Sequence, residues 1–128
     1  MSFDVSFSVK FLKEYPNFPN EQQQAISNFV DTFLQFGLDF SKYKGKIAPS
    51  YRMQDKLSDN YDFVFKNKLW HYHLGLPRYV ASNYGTYHTS DMILHFQNLS
   101  ATTIKIVDVT SHYKVTGEFW LPTDDYLD

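Results

Sequence analysis

Leu69-Trp70-His71-Tyr72-His73-Leu74-Gly75 is the stretch on which the fold turns. Read as a β-strand, it sends Trp70, Tyr72 and Leu74 to one face and His71 and His73 to the other. One face is then apolar and packed, while its opposite carries imidazoles. Pro77 cannot donate to a sheet ladder, so the strand ends before it. Upstream, Tyr61-Asp62-Phe63-Val64-Phe65 reads as a further strand, joined through a turn at Asn67-Lys68. Downstream, residues 78–90 form a polar, tyrosine-rich connection. Met92–Phe96 and Thr103–Val109 are then two strands around a hairpin loop at Gln97–Thr102.

Further out the periodicity changes. Phe3–Val9 alternates with period two and reads as a half-buried strand, and Lys10–Tyr15 as one short helical turn stopped by Pro16 and Pro19. From Glu21 to Phe36 the apolar residues Ala25, Ile26, Phe29, Val30, Phe33, Leu34 and Phe36 recur at helical spacing. Asn20 is placed to cap that helix and Gly37 to end it. Residues 38–60 read as a surface loop able to carry binding groups. Residues 111–121 fit either a short helix or an extended tail, and the acidic end 122–128 reads as mobile. The class is α+β: an N-terminal strand and helix packed on an antiparallel sheet, with the other sheet face free to hold a ligand.

The whole 128-residue chain is expected to be one domain, large enough to bury roughly two-thirds of its unfolded surface. An aromatic content of 19% excludes disorder. There is no cysteine, so disulfides, thiol chemistry and cysteine-based zinc sites are ruled out. No apolar run approaches the ~20 residues of a membrane span, and Met1-Ser2-Phe3-Asp4 lacks the start of a signal peptide. A cytoplasmic protein is expected. The net charge of −2 is uneven: residues 1–40 carry −3, residues 41–80 carry +5 and residues 81–128 carry −4. A basic middle between acidic ends suits a polyanion-binding face built from Lys42, Lys44, Lys46, Arg52, Lys66 and Lys68. The plainer alternative is that these lysines only solvate a loop.

The histidines are the candidate chemistry. Two imidazoles at His71 and His73 fall short of the three or four ligands zinc needs, and HExxH is absent, so no metal and no cofactor is assigned. They could simply be half-exposed polar residues on a sheet. Alternatively, His73, His95 or His112 could exchange protons with a ribose hydroxyl and a leaving oxygen. A cation must then hold the phosphate, and Arg52 and Arg78 are the two arginines of the chain. Arg78 follows the histidine strand closely and could clamp a phosphate bidentately. Tyr79 and Tyr113 could stack on unpaired bases, or pack as ordinary aromatics.

The run Leu69–Tyr79 resembles the central strand and turn of RelE/ParE-superfamily toxins, in which a basic residue, an apolar residue and Gly lead to an Arg and an aromatic. Ile93–Phe96 and Ile104–His112 are similar to the two strands that follow, and the order of Phe3–Leu12 and the helical region also matches. The resemblance spans roughly residues 3–115, through short motifs. It implies the toxin of a type II toxin–antitoxin system: a metal-independent endoribonuclease that cuts mRNA on the ribosome and is neutralised by a cognate antitoxin. It places His73 at the strand's basic position, Arg78 at the phosphate-binding arginine, His112 at the histidine after the last strand and Tyr113 at the C-terminal tyrosine. The chain departs from that pattern in being acidic overall and in its longer 38–60 loop. Two alternatives stay open: a non-enzymatic toxin of the same superfamily that inhibits gyrase or another target, and a non-catalytic protein-interaction module.

Overall fold

A computed structural model describes residues 2–81 and 88–128. Residues 82–87, within the tyrosine-rich connection, lie outside the described residues. Strand β1 (Asp4–Phe7) leads into helix α1 (Val9–Glu14), capped by the Ser8 side chain accepting from the Phe11 amide. A 3₁₀ turn over Tyr15–Asn17 follows, and then the long helix α2 (Asn20–Phe36). Asn20 is the first helical residue rather than the cap, which falls on Pro19. The entry loop is held instead by Gln23, whose amide donates to the carbonyls of Tyr15, Pro16 and Phe18. Gly37 ends the helix at φ +64°, a conformation strained for any other residue, and a Cβ there would also push the Phe3 ring, 2.5 Å away.

The expected loop 38–60 contains an edge strand, β2 (Ile47–Pro49), and a 3₁₀ turn over Ser50–Met53. Pro49 is tolerated there because an edge strand leaves one side unpaired. The expected strand at Tyr61–Phe65 is instead helix α3 (Asp59–Lys66). Its local signals are helical. Ser58 Oγ accepts from the Tyr61 amide at 3.1 Å, and Asp59 and Asp62 sit in the first turn, where the helix dipole favours carboxylates. Tyr61 and Phe65 stack four residues apart, while Val64 points inward and is fully buried.

Strand β3 (Leu69–His73) lies where the alternation put it. Two short strands, β4 (Val80–Ala81) and β5 (His88–Thr89), pair with each other. Strands β6 (Met92–Ser100) and β7 (Thr103–Ser111) run longer than expected and leave only a tight turn between them. The main sheet has the order β1-β7-β6-β3-β2, antiparallel throughout except for the β1–β7 pair.

Helix α2 covers one face. Phe29 meets Tyr43, Tyr72 and Phe96 at ring-centroid distances of 5.5, 4.8 and 5.5 Å, and Ile26 and Phe33 are buried beside it. Burying each such side chain contributes roughly 1.5–3 kcal/mol. The opposite face is not free as expected. Val64 of α3 packs on Leu69 and Val107, together with Tyr51, Phe63, Leu121 and Leu127. The acidic tail read as mobile makes specific contacts: the Leu127 carbonyl accepts from Lys105 Nζ at 2.6 Å, and Tyr126 hydroxyl donates to the Glu14 carboxylate. Residues 111–121 form a small turn in which Tyr113 pairs with Phe119. At the histidine-bearing end of this face the covering segments leave a cavity. No helix among the described residues is long and apolar enough to cross a membrane.

Candidate functional site

His71 and His73 project from β3 onto the face opposite α2, and the β3–β6 register sets His95 directly across from His71. His112 follows β7 and joins them through a backbone bond from its amide to the Asp91 carbonyl at 2.6 Å. The rings of His73 and His112 are stacked with centroids 5.1 Å apart and planes 22° from parallel. His71 lies edge-on to both, at 5.6 Å from each. Phe119, returned by the 113–119 turn, covers His71 and His112 at 5.0 Å. One nitrogen from each of His71, His73 and His112 lies within 4.8 Å of the others.

Polar partners fix the orientation of these rings. His71 Nδ1 is 2.9 Å from Ser50 Oγ, a hydroxyl delivered by the 38–60 segment and fully buried. His73 Nδ1 lies 2.7 Å from the Ser90 carbonyl and 3.0 Å from the Ser90 amide nitrogen, so either tautomer finds a partner. Gly45 lets β2's approach segment press against β3: a Cβ there would lie 2.0 Å from the His73 carbonyl oxygen. His95 belongs to a different network. Thr110 Oγ1 gives its single proton to the Ser111 carbonyl, so it must accept from His95 Nε2 at 2.8 Å. That leaves His95 Nδ1 as a buried lone pair without a partner, and His112 Nδ1 is also buried and unpartnered.

Burial governs the charge of the cluster. It pushes His95 down to about 3 and His112 down to about 4. The other imidazoles add to this, and Asp91 opposes it at His112. His71 lies well below the usual histidine value because it is buried and then because three imidazoles and Lys46 surround it. His73 is lowered mainly by burial, with its Ser90 contact opposing. All four rings are neutral at pH 7, and each can accept a proton or a metal rather than donate one.

The cluster opens into a cavity of about 400 Å³ lined by His71, His73 and His112 together with Lys46, Arg52, Asp91 and Tyr113. Tyr113 is half exposed, and its ring centroid is 4.3 Å from that of His112. Among the sequence candidates, then, His73, His112, Tyr113, Lys46 and Arg52 are brought together. Arg78 is exposed and does not line this cavity. Its neighbour Tyr79 sits on the α2 side, with its hydroxyl 3.1 Å from that of Tyr72. Lys44 reaches over the Tyr79 ring, and Lys42 over Phe36. Lys68 lines a separate hollow with Tyr51 and Trp70, and Lys66 ends α3. The basic residues are therefore dispersed rather than forming one stripe.

Sequence reasoning set His71 aside and missed Ser50, Ser90, Thr110 and Phe119. His71 was legible from its spacing to His73. No local signal marks the serines or Phe119, whose roles depend on contacts across 21, 17 and 7 or more positions. Comparison with known protein families, curated protein sequences and solved structures finds no match to this chain.

Proposed function

We propose that the chain is an RNA-cleaving toxin of the RelE/ParE kind that acts without a metal in the cytoplasm, on mRNA presented by the ribosome, and is held in check by a cognate antitoxin. The observation that carries the reading is the neutral His73–His112 pair, stacked at 5.1 Å beside Lys46 and Arg52 in one cavity. Phosphodiester cleavage in RNA needs a base for the 2′-hydroxyl, a donor for the 5′-oxygen and positive charge on the phosphate.

His112 accepts the 2′-hydroxyl proton as the 2′-oxygen bonds phosphorus and the bond to the 5′-oxygen breaks, leaving a 2′,3′-cyclic phosphate. Tyr113 hydroxyl protonates the departing 5′-oxygen, and proton return from the His112 imidazolium to the phenolate restores both. The incoming phosphate helps, because a nearby anion raises the proton affinity of imidazoles held low by burial. Lys46 and Arg52 replace Arg78 as the phosphate clamp. A neighbouring hollow shares Met53 and Tyr113 but carries Asp55, Glu118 and Asp124, so an RNA strand approaches from the Lys46–Arg52 side. A net charge of −2 gives weak affinity for free RNA, which suits a substrate delivered by a larger assembly.

The test is to induce the wild-type chain and its His112→Ala variant in cells and map transcript 5′ ends. Cuts should fall roughly 10²–10⁴-fold in the variant. Undiminished cutting by a folded His112→Ala protein rejects the reading. A second reading, a binding module without catalysis, draws support from Val9, Leu12, Leu34 and Phe36, which are exposed on α1 and α2. It predicts a pulled-down partner and no new transcript ends.

A further inference from the structure

The cleavage reading leaves His71 without a task, although its ring packs against both His73 and His112. We propose that His71, His73 and His112 form a binding site for a divalent first-row transition ion, with zinc as the best fit.

The geometry comes first. The three candidate ligand nitrogens lie within 4.8 Å of one another. Nitrogens bound to one tetrahedral ion at 2.0–2.1 Å are about 3.3 Å apart, so ring rotations of about 1 Å per nitrogen close the site. The surroundings are those of a ligand set. Ser50 engages His71 Nδ1 and the Ser90 backbone engages His73 Nδ1, which orients both rings and leaves Nε2 of each for an ion. His112 Nδ1 is buried with no hydrogen-bond partner, the arrangement a bound ion would relieve. Phe119 closes the apolar side over His71 and His112. Burial keeps the imidazoles in the neutral form that ligates.

The donor chemistry selects the ion. Three imidazoles and no thiolate suit Zn²⁺, Co²⁺, Ni²⁺ or Cu²⁺ and discriminate against Mg²⁺ and Ca²⁺, which prefer oxygen. Three protein ligands leave a fourth position open. Lys46 and Arg52 line the same cavity and favour an anion there. The inference stands on the triad alone and does not rest on the nuclease reading. If both hold, an ion on the triad occupies the lone pair His112 needs for proton transfer, and zinc inhibits cleavage.

The experiment titrates the full metal-free chain with Co²⁺, follows the visible bands of four-coordinate cobalt, and then displaces them with Zn²⁺. One ion per chain is expected. His112→Ala should weaken binding by at least about 100-fold. Ser50→Ala, which keeps all three imidazoles, should weaken it by roughly 10–100-fold. His88→Ala, whose ring lies outside the triad, should leave it unchanged. Absence of the cobalt bands in the wild type, or equal bands in His112→Ala, overturns the site. Should a variant misfold, ring-nitrogen NMR of the wild type decides: Zn²⁺-induced shifts at His71, His73 and His112 support the triad, and shifts confined to His88 reject it. Transcript cutting is measured separately with chelator present, so its failure alongside intact cobalt binding counts against the nuclease reading alone.

Discussion

The two faces of strand β3 bury their side chains by opposite means. Toward α2, Tyr72 and Leu74 enter an aromatic cluster around Phe29, where stability scales with apolar area removed from water. Toward the other side, His71 and His73 are equally buried, yet each is admitted only with a hydrogen-bond partner and without its charge. A buried polar group left unpaired costs about as much as a lost hydrogen bond or more, so the second face depends on particular atoms while the first depends on volume. The six residues Leu69–Leu74 thus serve as a structural beam on one side and carry a hydrogen-bonded imidazole pair on the other.

The sharpest way to break the comparison is Phe33→Ala on the apolar face. Phe33 is wholly buried, and its truncation should cost about 3–5 kcal/mol, read as a lower denaturant midpoint with an unchanged m-value. On the polar face, Ser50→Ala removes no comparable volume. It should still cost about 1–3 kcal/mol in the same measurement, because His71 Nδ1 is left buried without its partner.

Stability also depends on pH through the buried titratable groups. His112 binds fewer protons folded than unfolded between about 4 and 6.5, and His95 does so down to about 3, so their contribution is present above 6.5 and is lost as pH falls through those values. Asp108 on β7 works in the other direction. Burial pushes its carboxyl up to about 7, so it contributes stability at low pH that is lost as pH rises from about 4 through 7. The two oppose each other between 4 and 6.5. Asp108→Asn should therefore steepen the loss of stability on acidification, by at most one proton's slope, about 1.4 kcal/mol per pH unit. An unchanged slope would remove Asp108 from this account. The smallest effect belongs to Leu34→Ala. Leu34 neighbours Phe33 on α2 but is 46% exposed, and its truncation should stay within about 0.5 kcal/mol.

Much of the fold was legible along the chain. The period-two alternation of Leu69–Leu74 assigned both faces of β3 correctly, and the 3.6-residue stripe with Gly37 located α2. Tyr61–Phe65 misled because so short a stretch, apolar except for Asp62, fits either period, and the deciding signal was the Ser58 cap just outside it. Of the site, His73 and His112 were nominated from residue type. Arg78 was nominated from nearness in sequence, yet the bend after Gly75 turns the chain toward Tyr72, where Tyr79 packs, and not toward the imidazoles.

By itself, then, the sequence determined the periods of β3, α2 and the β6–β7 pair, the division of β3 into an apolar and an imidazole face, and the absence of thiol chemistry, because these depend on residue type and short-range spacing. Only the tertiary structure decided that His112 joins His71 and His73, that Ser50 and Ser90 orient them, that α3 and the C-terminal segment pack on part of the sheet face, and that Lys46 and Arg52 line the same cavity as the imidazoles. Those relations join residues 17 or more positions apart through strand register and packing, which no local pattern encodes.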